Sequence, residues 1–420
     1  KALAPHMTAF DLYSGWFYRN GILQLSTSLA WANQMLREDA KRRGAASYHA
    51  LEESYLATGR LSTRFPLKDV PPLTADDLPT YARDWLQHSE PGAYWREFDL
   101  LSRIKELKVP MFHLSGWYDL YLRGSVDGYE AMQRVHPDQF LLASPWVHLP
   151  WGNKIGTTDL GPEAVPDVDR AMASWFHHYL DHDQPVGPPP LHGARYFVLG
   201  KNRWQNSSAW PPPAAKGSTW FLQSQGRANS RFGDGTLSPE GSKGPEDLFD
   251  YDPEVPVQAP GGNLAGSASF GPHDLSAQQQ GINLLVYTSP SLERETVIAG
   301  RPQVILHFRS SAPSTHVVVR LSRVTTDGRA HFLTLGATIA KASQGGEVEI
   351  FLDPIAASFG LGEAIRLDIA SSAFPLLVRH PNTETDPAAV QSSAEFKRAL
   401  QIVYHNAQQP SRLILPVLSA

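Results

Sequence analysis

Cysteine is absent from all 420 residues. Disulfides, thiol catalysis and cysteine-based metal sites are excluded together, and the composition leans to the cytoplasm without fixing a compartment. An excess of one charge sign is also missing. The 37 basic and 42 acidic residues leave a net charge of -5 with no extended basic cluster, which gives no support to a nucleic-acid partner. No apolar run reaches the roughly 18 residues that a membrane span requires. A leader peptide cannot be read from a chain whose first residue is Lys1. What is present is ordinary globular material, 42% hydrophobic and 19% charged, enough for two or three domains at about 100 to 200 residues each.

Two stretches organise it. Val109 to Gly116 is an apolar run of strand length that ends at a glycine and delivers Asp119 into the loop behind it. Phe140 to Ser144 repeats the pattern, Pro145 closes it, and His148 follows in its loop. Between them Gly124 to Val135 has helical spacing, with Val126, Tyr129 and Met132 inward and Asp127, Glu130 and Arg134 outward. Strand, helix, strand with parallel strands puts both loops at the C-terminal edge of one sheet, where open α/β sheets carry their chemistry. An Asp and then a His on successive loops is the back half of the serine, aspartate, histidine order of α/β-hydrolases. A neutral imidazole can take a proton from a serine while a buried carboxylate holds its tautomer and stabilises the imidazolium. The pair alone also fits a helix cap and a surface histidine.

Leu114-Ser-Gly-Trp-Tyr-Asp119, Ser144-Pro-Trp-Val-His148, Phe197-Val-Leu-Gly-Lys-Asn-Arg-Trp204 and Pro410-Ser-Arg-Leu-Ile-Leu-Pro416 together resemble the family of cocaine esterase and X-Pro dipeptidyl-peptidase, with cephalosporin acylases and α-amino-acid ester hydrolases as relatives. The resemblance runs the length of the chain. It implies a serine triad to which Asp119 and His148 belong, no cofactor and no metal, and a small ester or amide as substrate. Ser144 departs from the glycine more usual in the family, with no chemical consequence expected.

The third member of that triad is not visible. A nucleophile elbow needs a serine on a tight strand-to-helix turn with small residues on both sides, and no G-x-S-x-G occurs. Ser267-Ala-Ser-Phe-Gly271 and Ala356-Ala-Ser-Phe-Gly360 are the nearest approaches; both lack the first glycine and lie far past His148. In relatives the serine precedes a segment like Ala2-Leu-Ala-Pro5. The expectation is therefore a missing N-terminal segment that carries the serine and travels with this chain, which alone would be inactive. Only three core strands are expected, at Ala2 to Pro5, Val109 to Ser115 and Gln139 to Ser144, and strands of this kind need neighbours on their edges.

The remaining chain reads in order. Phe10 to Phe98 is mostly helical, with helices expected at Gly21 to Arg43, Ser47 to Thr58 and Ala75 to His88. It would cap the active-site edge, one or two of Phe10, Tyr13, Trp16, Phe17 and Trp117 lining an acyl pocket and the others filling core. Val168 to Asp181 should pack Met172, Trp175, Phe176, Tyr179 and Leu180 on the sheet. His178 and His182 are spaced for a shared metal, but His177, His178, His182 and Asp183 also suit a solvated helix end. Asp127 and Glu130 read as a solvated face rather than a site for a substrate ammonium group.

Gln184 to Pro190 marks a boundary, beyond which short β-branched runs begin at Arg195 to Leu199 and Thr326-Asp327-Gly328 signals a hairpin. Gln223 to Gly281 reads as a long surface connection. The spacing indicates a β-sandwich, and the resemblance specifies a jelly roll. The fold class expected is α/β: a partial α/β-hydrolase core at 1–8 and 99–184, a helical cap at 9–98 and a jelly-roll domain at 190–420. Two functions stay open, a serine hydrolase and a jelly-roll binding module with a degenerate hydrolase half. A homo-oligomer is compatible with either.

Overall fold

The computed structural model describes residues 1–56, 58–181, 191–259, 271–341 and 343–419. Its organising sheet is built on two parallel strands, Met111–Gly116 and Gln139–Ser144, paired in register from Met111 with Gln139 to Gly116 with Ser144. All twelve residues are buried, as their unbroken apolar runs require of strands covered on both faces. The crossover helix Leu122–Met132 covers one face through Val126, Tyr129 and Met132. The helix Val168–Leu180 adds buried Trp175 and Tyr179, with Phe112 and Trp175 rings 6.2 Å apart. Leu180, expected inward, is 48% exposed at the last turn.

Residues 2–6 lie parallel beside the first core strand. Leu3 bridges Met111, His6 bridges Leu114, and the Leu114 amide donates to the Pro5 carbonyl at 3.0 Å. On the other side the sheet continues through Gly193–Val198, parallel to Gln139–Ser144, and turns back antiparallel through Arg203–Ser207. Residues 193–207, expected in the β-domain, therefore extend the α/β sheet. A short aromatic and β-branched run fits either sheet, so periodicity alone cannot assign it. The expected boundary segment itself, Gln184 to Pro190, lies outside the described residues.

The helical insertion begins with the turn Tyr13–Phe17 and a two-stranded ribbon, Tyr18–Arg19 with Ile22–Leu23. The long helix Leu25–Arg43 ends on Gly44 at φ +63°, with Lys41, Arg42 and Arg43 in its last turn where the helix dipole favours cations. Tyr48–Leu56 and Thr58–Leu61 follow. The helix expected from Ala75 occupies only Tyr81–Gln87. Pro79 disfavours helical geometry at the residue before it, so the helix cannot extend back through that point.

Beyond Arg203–Ser207, thirteen of the described strands form one hydrogen-bonded network. Thr315–Val324 and Ala330–Ala340 pair antiparallel across the expected hairpin, with Gly328 at φ +83° in the turn. Thr236–Ser238 and Asp247–Tyr251 lie within the stretch expected to be a connection. Polar residues hide the second: Asp247 is fully buried and accepts from Ser224 at 2.6 Å and Tyr287 at 2.7 Å.

Ion pairs join this domain to the rest. Arg19 of the ribbon meets Asp353 with two contacts of 2.6 Å, both side chains nearly inaccessible. Asp127 and Glu130 do not form the solvated face expected of them. Arg301 of the β-domain lies 2.5 Å from Asp127 and 3.4 Å from Glu130.

Candidate active site

The positions of Asp119 and His148 are set by where the two core strands end. Past Gly116 the chain turns, with the Asp119 amide donating to the Gly116 carbonyl at 3.0 Å and the Leu122 amide to the Asp119 carbonyl at 3.1 Å, so the crossover helix starts at once. Backbone bonds stitch this loop to the one after Ser144: Trp117 N–H donates to the Ser144 carbonyl at 2.9 Å and Tyr118 N–H to the Trp146 carbonyl at 3.0 Å. The loops approach so closely that a Cβ on Gly116 would stand 2.3 Å from the Trp146 oxygen. The Ser144 hydroxyl is occupied locally, donating to the Ser115 carbonyl at 2.8 Å.

Within this frame His148 Nδ1 lies 2.7 Å from Asp119 Oδ2. Asp119 is fully buried, and its other oxygen accepts the Tyr121 amide at 2.7 Å. An ionised carboxylate only accepts, so Nδ1 carries the proton and Nε2 presents its lone pair. Trp151 Nε1 donates to the His148 carbonyl at 2.9 Å, which fixes the loop behind the ring. The hydrogen bond to Asp119 raises the His148 pKa above its ordinary 6.5, against a smaller opposing effect of burial. The imidazole side chain is 44% exposed, and no hydroxyl among the described residues lies within hydrogen-bond distance of Nε2. The chemistry such an arrangement can perform is that of a general base with an orienting carboxylate.

The five aromatics singled out from the sequence separate. Trp16 stands one ring from the pair: its centroid is 4.8 Å from that of Tyr121, which is 5.5 Å from His148. Phe17 packs behind Trp16 and on Trp85. Tyr13 stacks on Tyr18 at 4.7 Å and donates its hydroxyl to the Ser89 carbonyl. Phe10 lies in a separate cluster with Met111 and Met132, against His113. Trp117 is buried and donates Nε1 to the Phe197 carbonyl at 2.7 Å. Tyr121 was not among the aromatics expected; it stands where the loop after Asp119 turns into the crossover helix, which brings its ring beside His148. Trp31, 5.7 Å from Trp16, was hidden in a helical stripe.

Other expected groups sit elsewhere. Ser358 is buried in the strand Ile355–Phe359 and donates to Glu295 at 2.8 Å, which is no elbow. Ser267 and Ser269 lie outside the described residues, as do His182 and Asp183. His177 pairs with Asp181 at the helix end.

Residues 190–414 match the family profile described as the X-Pro dipeptidyl-peptidase C-terminal non-catalytic domain, and residues 1–150 match X-Pro dipeptidyl-peptidase (S15 family). Cocaine esterase from Rhodococcus sp. (strain MB1 Bresler) is 28% identical over 445 residues, covering the whole of this chain and 76% of the esterase. Among solved structures, an aminopeptidase from a marine sediment Thaumarchaeota archaeon superposes with a TM-score of 0.77 at 19% identity, covering all of this chain and 72% of that one. An α-amino acid ester hydrolase superposes with a TM-score of 0.75, also at 19% identity, covering 99% of this chain and 72% of the other.

Proposed function

The chain belongs to the family of X-Pro dipeptidyl-peptidases and cocaine esterase, and from that membership we propose that it is the acid–base portion of a serine hydrolase acting on small esters or amides. The observation that carries the reading is the 2.7 Å contact between His148 Nδ1 and the buried Asp119 carboxylate. In this mechanism His148 Nε2 takes the proton of a serine hydroxyl as the oxygen attacks the substrate carbonyl. Asp119 stabilises the imidazolium, and the same Nε2 proton then goes to the leaving alkoxide or amine. Water, activated by the regenerated imidazole, releases the acid. Backbone amides near the serine would receive the oxyanion.

The serine is proposed to arrive on a further polypeptide segment that pairs along residues 2–6. Support comes from two features: the amides of Ala4 and His6 have no backbone partner among the described residues, and Leu3 is 49% exposed on that edge. Trp16 and Tyr121 would form the acyl wall, the helical insertion a cap over it, and the β-domain a jelly-roll buttress. Neutral substrates fit better than amino-acid derivatives, because Asp127 and Glu130 are engaged by Arg301 and are not free to capture an ammonium group.

A fluorophosphonate probe applied to the intact preparation tests the reading. Label on a serine of a segment travelling with this chain, abolished by His148→Ala with the unfolding midpoint nearly unchanged, is the expected result. Absence of label on any polypeptide would favour the binding-module alternative, and label that survives His148→Ala would remove His148 from the chemistry.

A further inference from the structure

Six charged side chains from three parts of the chain meet along the crossover helix that follows Asp119. Arg19 and its neighbour Asn20 come from the ribbon, Arg123, Asp127 and Glu130 from the crossover helix, and Arg301 and Asp353 from the β-domain. Three cations and three anions balance. Arg19 holds Asp353. Arg123 donates to Asn20 Oδ1 at 3.0 Å and stands 4.0 Å from Asp127. Arg301 closes the cluster on Asp127 and Glu130. The groups act on one another as a unit: Arg301 feels Asp127, Glu130 and Asp353, and Arg123 feels Arg19, Asp353, Asp127 and Arg301.

The cluster's place on the helix gives it a role beyond holding domains together. Asp119 is held from two sides, by the backbone bonds of its loop and by the start of the crossover helix. Its carboxylate is set by the Tyr121 amide and its carbonyl by the Leu122 amide, which is the start of the crossover helix. The backbone bonds between the two loops set the loop, and the position of that helix sets the aim of the carboxylate within it. On the sheet side the helix rests on apolar Val126, Tyr129 and Met132, and its first turns are held to residues 8–15 by two bonds between Ser125 and Thr8, at 2.7 and 3.1 Å, and by the close approach of Gly124 to Ala9. On the other side Arg301 is a planar, multi-donor group that grips two carboxylates one turn apart, a contact with a defined angle and register. Ion pairs of this kind contribute little net stability, and their best-attested use is to select one arrangement among several.

We propose that Arg301 is a positioning residue: the β-domain guanidinium seats the crossover helix through Asp127 and Glu130 and so places Asp119 against His148. The proposal rests on the acid–base reading above only for its effect on turnover, since its effect on the His148 ring can be read without any reaction.

The experiment compares the parent with Arg301→Met, Arg301→Lys and the triple variant Arg301→Met, Asp127→Asn, Glu130→Gln. The triple variant removes the clamp together with both carboxylates it held and leaves Arg123 to Asn20 Oδ1, and an unfolding midpoint measured for every variant separates a local effect from a loss of fold. His148 is titrated by NMR, following its Nδ1–H signal, and ester hydrolysis is measured in the assembly that carries the serine. Loss of the clamp should move the His148 pKa down toward its ordinary value and lower kcat about tenfold or more with KM nearly constant, because misplacement by about 1 Å is costly to catalysis. Arg301→Lys should fall between, since one ammonium cannot grip two carboxylates. A His148 titration unchanged in the triple variant overturns the proposal even if turnover falls. If instead the titration moves while His148→Ala retains activity, the clamp stands and the catalytic reading fails.

Discussion

Replacing Asp119 with Asn separates the carboxylate's charge from its shape. The buried side chain accepts from two donors, the Tyr121 amide on one oxygen and His148 Nδ1 on the other, each at 2.7 Å. An amide cannot accept on both sides. With its NH2 toward Tyr121, two donors would face each other in a buried site at a cost of about 1 to 3 kcal/mol. The amide therefore turns its NH2 to His148, the ring must carry its proton on Nε2, and the general base is lost in all but a minor tautomer. That bias accounts for roughly one to two decades of rate at about 1.4 kcal/mol per decade. Loss of the negative charge beside the developing imidazolium adds about 2 to 5 kcal/mol, as for other desolvated charge pairs deprived of one partner. Together these predict a fall in kcat of about 10^3 to 10^5 with KM changed little, measured by p-nitrophenyl ester hydrolysis in the serine-bearing assembly. The unfolding midpoint should move only slightly, because the substitution preserves volume. A kcat within tenfold of the parent would refute the assignment of Asp119 as the orienting acid.

Two further outcomes follow from the same geometry. Because Asp119 raises the His148 pKa and only the neutral ring can accept a proton, kcat/KM should fall as pH drops through a value above 6.5, and this acid limb should shift below the parent's in Asp119→Asn; a parent limb below 6.5 would contradict the hydrogen-bond geometry. Gly116→Ala would push a methyl to 2.3 Å from the Trp146 carbonyl oxygen and 2.9 Å from its carbon, so a loss of about 1 to 3 kcal/mol in stability with a matching fall in activity is expected from denaturant titration and the same ester assay, and an unchanged midpoint would refute the closeness of the loops.

How much of this was legible depended on whether the determining contacts were local. Asp119 and His148 could be found because each closes a short buried run, and parallel strands bring such ends together. Spacing alone left a helix cap and a surface histidine equally open, and the resemblance singled the pair out. The aromatics were not separable in the same way. Phe10, Tyr13, Trp16 and Phe17 fall within eight positions, but the turn at Tyr13–Phe17 sends Phe10 toward Met111 and Met132 and Trp16 toward Tyr121. Nothing in their spacing announces that turn. Asp127 and Glu130 looked solvated because Arg301 lies more than 170 positions away in sequence. Gly193–Val198 joined the α/β sheet against expectation because its composition suits both sheets, and only the parallel partner at Phe140 to Ala143 decides between them.

The seam between the two loops is made from peptide groups, Trp117 to Ser144 and Tyr118 to Trp146, with no side chain in either bond. The approach of the two loops that carry Asp119 and His148 is thus written in main chain. The side chains at 117, 118 and 146 are buried and turned to other partners, Trp117 to the Phe197 carbonyl, Tyr118 to that of Phe332 and Trp146 to that of Ala164. A change at any of the three would disturb the packing around the seam before it disturbed the seam, because what joins the loops is hinged on atoms every residue shares.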